Sequence, residues 1–165
     1  MKKNLAIFIL GAAVIIALDQ ITKSAVTARF SLHETLTLIP GLFNLVYVMN
    51  PGAAFGFLAD ASPGFRYAFF TGVTVLAAGL IVYYLVKSSP RNRLLVGSLT
   101  LIFGGAVGNL IDRIRFGAVV DFLDVYIGAS HWPAFNVADS AITVGAILMI
   151  WEMLRNRKSN STSRT

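Results

Sequence analysis

Residues 94–113 read LLVGSLTLIFGGAVGNLIDR. The first eighteen of them carry no charge, close to the ~20 residues a helix needs to cross a ~30 Å hydrocarbon core. The run closes on Asn109, Asp112 and Arg113, spaced i, i+3, i+4, so three polar side chains share one helical face at the end of a span. Asp112 and Arg113 can neutralise local charge, and Asn109 offers a peptide both a donor and an acceptor. Gly104 and Gly108 form a small-xxx-small pair that lets helices approach closely. On spacing alone, the polar trio reads equally well as a network knitting a bundle together.

Three more apolar runs flank this one, at about residues 5–21, 65–86 and 137–154. Together they predict an all-α membrane protein, a bundle of four transmembrane helices. It forms one membrane-embedded domain over residues 1–155, followed by a polar, disordered cytoplasmic tail at 156–165. Composition agrees: mean hydropathy is +0.70, and 13% of the 165 residues are charged, against ~25% in soluble domains. The first run, after Lys2 and Lys3, also resembles a secretory signal peptide, with a poor cleavage region at Ala25–Ala28. The three later spans favour an uncleaved anchor.

A formal charge of +6 might point to nucleic acid, but the basic residues sit at segment ends, as topology signals do, so no nucleic-acid partner is expected. With the first span running outward, nine lysines and arginines fall on one side and five on the other. That places both termini in the cytoplasm. Seven of the eight acids, all but Glu152, fall on the outer half, so the chemistry is expected outside. Cysteine is absent, which excludes disulfides, thiolate catalysis and thiolate metal sites. There is no HExxH motif, and His33 and His131 stand alone and read as surface residues, so no metal and no cofactor are expected.

The outer segments carry the remaining signals. Thr35–Ile39 alternates polar and apolar residues, Pro40-Gly41 is a turn signal, and residues 42–48 can return as a partner strand, which predicts a small outer β-sheet. Residues 113–136 are less regular and suggest a short interfacial helix with Trp132 as an anchor. Asn50-Pro51-Gly52 is a turn signature, and the small residues of Ala53-Ala54-Phe55-Gly56 leave room for another backbone.

Asp121 lies in the run Val119–Phe122, and Asp139 follows Asn136 where the last span begins. A carboxylate near hydrocarbon costs roughly 2.5–3.5 kcal/mol at a helix centre, so both are functional suspects. If they face each other they resemble a shared-proton pair that activates water. Each also has a plainer reading. Asn136-x-x-Asp139 alone is a helix cap, Asp121 alone is a loop acid, and Asp124 is its rival one helical turn away. Asp19 and Lys23, at i, i+4, read as an ion pair at the outer end of the first span.

In combination, NPGAAFG at 50–56, GGAVGNLIDR at 104–113, VVDF at 119–122, FNVAD at 135–139 and Asp19-x-x-Thr22-Lys23 resemble the lipoprotein signal peptidase (signal peptidase II) family. The resemblance spans nearly the whole chain. It implies an aspartyl endopeptidase of the bacterial inner membrane that removes the signal peptide from prolipoproteins just before a diacylglyceryl-modified cysteine, without metal or cofactor. It assigns catalysis to Asp121 and Asp139, and not to Asp124. It assigns substrate binding to Asn50, Gly52, Asn109, Arg113 and Asn136, and structural support to Asp19, Lys23 and Asp112. The partners expected are lipidated prolipoproteins and membrane lipids, with the enzyme itself a monomer.

Three rivals are weaker. Ser130 and His131, adjacent in one loop, make a poor serine–histidine pair. A presenilin-like protease would carry a GxGD motif, which is absent. A small proton-coupled transporter or channel relaying protons through Asp19 and Asp139 would place acids near mid-membrane and break its spans.

Overall fold

A computed structural model describes the backbone of residues 2–52, 58, 60–87 and 92–162, with side chains from residue 4 to 155 within those ranges. Four helices are long and apolar enough to cross a membrane: α1 (Lys2–Arg29), α2 (Pro63–Lys87), α3 (Arg93–Phe116) and α4 (Val137–Thr162). The stretch 53–56 and the turn carrying Ser88-Ser89-Pro90 lie outside the described residues.

Helix boundaries follow local chemistry. Asn92 caps α3 by accepting from Leu95 N at 3.1 Å, satisfying one of the amides that a helix start leaves open. Pro63 opens α2, where its missing N–H costs nothing. Gly117, with φ 71°, closes α3 by donating its N–H to Arg113 O, a left-handed cap that turns the chain back toward the bundle. The first helix, at 28 residues, is about 42 Å long at 1.5 Å per residue and outreaches the hydrocarbon core. The Ala25–Ala28 region is continuous helix. The tail read as disordered is helical through Thr162, because arginine and lysine propagate a helix once the span has nucleated it.

The third helix is the hub, packing against α1, α2 and α4. Its glycines make this possible: a Cβ on Gly104 would meet Ile15, one on Gly105 would strike Ala138 O, and one on Gly108 would lie 2.6 Å from Asp19 Oδ2. At one end the bundle is dry, with Phe8, Ile81, Leu85, Val96 and Leu99 in a single cluster. The outward surfaces of the spans are apolar, Leu10, Ile21, Leu76 and Trp151 among them. That is the arrangement expected against lipid.

At the other end lies a four-stranded antiparallel sheet in the order β1 (Thr35–Ile39), β2 (Phe43–Asn50), β3 (Val119–Ile127), β4 (Ser130–His131). The β1–β2 hairpin is the one read from the sequence. Leu42 N donates to Ile39 O at 3.1 Å and Gly41 takes φ 80°, so Pro40-Gly41 fill the two corners of a type II turn. The interfacial helix expected within residues 113–136 does not form. That segment is β3 and β4, because Val119, Val120, Val125, Tyr126 and Ile127 favour strand and find an open edge on β2, with Asp121 opposite Val48 and Asn50 opposite Val119.

Candidate active site

Lys23 anchors the polar end of the bundle. Its three N–H donors reach Asp19 Oδ2 at 2.9 Å, Asp112 Oδ2 at 2.8 Å and Asn109 Oδ1 at 2.9 Å, so its hydrogen-bonding capacity is filled. Lys23, Asp19 and Asp112 are all buried. Burying such charges is costly unless each is paired and the leftover oxygens are satisfied. Here Ala138 N donates to Asp19 Oδ1 at 2.9 Å, Val120 N to Asp112 Oδ2 at 3.1 Å, and Gln20 Nε2 to Asp112 Oδ1 at 2.9 Å. This ion cluster therefore fastens α1 and α3 to the start of α4 and the start of β3.

Asn109 carries the arrangement toward Asp139. Its Oδ1 faces Lys23, and its Nδ2 donates to Asp139 Oδ1 at 2.7 Å. Asp139 also closes a reciprocal cap with Asn136: Asn136 N donates to Asp139 Oδ2 at 3.3 Å, and Asp139 N donates to Asn136 Oδ1 at 2.8 Å. Asp121 receives Asn136 Nδ2 at 2.7 Å and Asn50 Nδ2 at 2.9 Å. Asn50 spends its oxygen on its own loop, accepting from Gly52 N at 3.0 Å, a side-chain-closed turn. Asp121 is 1% exposed. Burial, and next the charge of Asp139, push its pKa up to about 7, against the opposing pull of the Asn50 and Asn136 hydrogen bonds and of Lys23.

A cavity of about 720 Å³ opens from these carboxylates between α2 and α4. Asn50, Gly52, Asn109, Arg113, Asp121 and Asp139 all line it. The guanidinium of Arg113 sits 5.1 Å above the Phe70 ring, a cation–π contact that steadies it without consuming its donors. Beyond this polar end the walls are apolar or small: Val73 and Ala77 on α2, Ala106 on α3, Ile142 and Val144 on α4. Trp132 and Phe135 flank the same space.

Two assignments shift in detail. Asn136 does not line the cavity among the described residues. It is wholly buried and gives its amide to Asp121, Asn109 and Val120. The close ion pair of Asp112 is with Lys23, and Arg113 acts on it only through longer-range charge attraction. Asp124 stands apart from Asp121, because residues three apart on a strand face opposite sides of the sheet. It is held by Asn44 Nδ2 at 2.8 Å and by His131 Nδ1 at 2.9 Å. The sequence reading missed Gln20, Phe70 and the His131–Asp124 contact. Only the opposite charges of Lys23 and Asp112 hinted at the long-range pairing.

No group of three or more metal-binding side chains occurs among the described residues. Apart from Glu152, which pairs with Arg155 toward the other end of α4, the buried acids gather at the sheet end of the bundle. This does not favour a transporter relay across the membrane.

Comparison with known proteins agrees with the geometry. Residues 11–155 match the family profile described as signal peptidase (SPase) II. The lipoprotein signal peptidase of Syntrophus aciditrophicus is 53% identical over 161 residues, covering 98% of this chain and 100% of that protein. That of Geobacter metallireducens is 47% identical, covering 98% of each. A solved bacterial membrane enzyme superposes with a TM-score of 0.84 at 34% identity, over 93% of this chain and 91% of its own.

Proposed function

The chain belongs to the signal peptidase II family, a family of proteases, and from that premise we propose that Asp121 and Asp139 cut prolipoproteins just before a diacylglyceryl-modified cysteine. The observation that carries this reading is that both carboxylates line one cavity, each fixed by two hydrogen bonds from asparagines.

Charge balance supports a shared proton. Asp19 and Asp112 occupy Lys23, which leaves Asp121 and Asp139 facing Arg113. Two close carboxylates do not both ionise readily, so the pair keeps one proton near neutral pH. The ionised member takes a proton from water as the water oxygen attacks the scissile carbonyl carbon. The protonated member hydrogen-bonds the carbonyl oxygen, and a proton passes to the amide nitrogen as the C–N bond breaks. Asn50, Gly52, Asn109 and Arg113 hold the substrate backbone, and Asn136 acts behind them by fixing Asp121. The apolar space between α2 and α4 takes the helical signal peptide from the side.

The enzyme is a monomer in the bacterial inner membrane with both termini in the cytoplasm. Its dyad lies at the outer face, and residues 1–155 form the working domain. Two acyl chains would then set the scissile bond at the depth of the dyad, each buried methylene adding roughly 0.8 kcal/mol to partitioning and sparing a positional search. The test is cleavage, in one membrane, of a prolipoprotein with and without the diacylglyceryl group. The unmodified form should be cut poorly or not at all. Equal rates would remove the lipid-anchored model.

A further inference from the structure

The β3–β4 hairpin carries a contact that the proposed chemistry does not use. β4 consists only of Ser130 and His131, paired with Ile127 and Tyr126. Gly128, with φ 60°, fills the first corner of its two-residue loop, the position where a type II′ turn takes glycine. A ribbon this short has too few ladder bonds to hold a fixed shape alone. Three side-chain contacts supplement it. The His131 ring stacks on Tyr126 at 4.8 Å and 7°. His131 Nδ1 lies 2.9 and 3.0 Å from the two oxygens of Asp124. Tyr126 Oη accepts from Gly41 N at 2.8 Å, which ties the hairpin to the β1–β2 turn.

Strand alternation gives this cluster its consequence. Asp124 and Tyr126 share one face of β3, and His131 stands opposite Tyr126 on that face. The next residue, Trp132, faces the other way. It lines the cavity that holds Asp121 and Asp139, and its backbone N–H is fixed to Val125 O at 2.8 Å.

We propose that His131 is a positioning residue: by clamping the reverse face of the hairpin through Asp124 and Tyr126, it holds Trp132 as a fixed wall of the substrate cavity. This deepens, and rests on, the reading of that cavity as the prolipoprotein site. The wall supplies none of the groups assigned to the chemical step, so its loss weakens substrate binding and leaves that step nearly alone.

The experiment uses the full-length membrane enzyme with Trp151→Phe, which leaves Trp132 as the sole tryptophan of the chain's two. His131→Ala should make Trp132 emission more accessible to acrylamide. It should also raise KM for lipidated prolipoprotein about fivefold with kcat within about twofold, the signature of lost binding common to ground and transition states. His131→Asn, which keeps a donor near the Nδ1 position, should recover much of the KM. His131→Phe, which keeps the stack and loses the donor, should fall between. If the parent enzyme cleaves and all three variants keep its KM and its Trp132 quenching, the clamp is wrong. A fall in kcat at constant KM would also overturn it. If the parent itself fails to cleave, the fault lies with the functional reading, and Trp132 quenching still decides whether His131 fixes the wall.

Discussion

Asn136 donates its side-chain amide to Oδ1 of Asp121 at 2.7 Å, although Asn136 belongs to the cap of a helix and Asp121 to the middle of a strand. Through the same cap it binds Asp139. One residue therefore sets the spacing of both carboxylates, and the geometry of the pair depends on how α4 begins.

Asp121→Asn and Asp139→Asn should each abolish cleavage of a lipidated prolipoprotein while the protein remains folded in detergent. Asp124→Asn should keep its kcat, because its carboxylate lies on the far side of the sheet, bonded to Asn44 and His131. Near-normal turnover in either dyad variant would end the assignment.

The pH dependence follows from Asp121, raised to about 7 by burial and then by Asp139. A dyad that needs one proton should lose activity as pH climbs past about 7. Stability has its own sign. Between the ordinary carboxylate value of 3.8 and about 7, the folded state holds a proton that the unfolded chain releases, so this group makes stability fall as pH rises through that window. Melting curves at pH 4 to 8 should show a steeper fall for the parent than for Asp121→Asn. Parallel slopes would contradict the raised value.

Lys23→Met removes the only cation touching Asp19 and Asp112 among the described residues and strands two buried carboxylates. Breaking a buried pair this way costs about 3–5 kcal/mol, so the variant should melt far lower or fail to accumulate. Thermal unfolding in detergent measures it. A change under about 1 kcal/mol would mean that water reaches the cluster.

Gly105→Ala should wedge α3 from α4, since the new methyl group meets the backbone oxygen of Ala138, which has nowhere to move. Asp139 lies one residue beyond, so turnover should fall together with the melting temperature. Gly97→Ala is the control, with nothing within 4 Å of the new carbon. Equal behaviour of the two variants would show that the helix seam tolerates a shift.

The spans were legible because long apolar runs have few other fates. The Asp19–Lys23 pair was legible because helical spacing puts i and i+4 together. Asn136-x-x-Asp139 supported both a cap and a functional acid; in the structure it forms the cap while Asp139 lines the cavity. Strand β3 was obscured because it buries acids on both faces, Asp121 on one and Asp124 on the other, which erases the polar–apolar alternation that betrays a strand. Lys23 with Asp112, and His131 with Asp124, depend on tertiary folding, and no local period announces them.

Asp19, in the first helix, accepts from the amide of Ala138, 119 residues later, at the start of the last. A chain still being synthesised, with three spans in the bilayer, has neither that amide nor Asp139 nor Asn136. The ion cluster of Asp19, Lys23 and Asp112 is complete with the third span. Under the proposed dyad, however, the protease stays mute until the final span delivers the second carboxylate and the amide that locks Asp19.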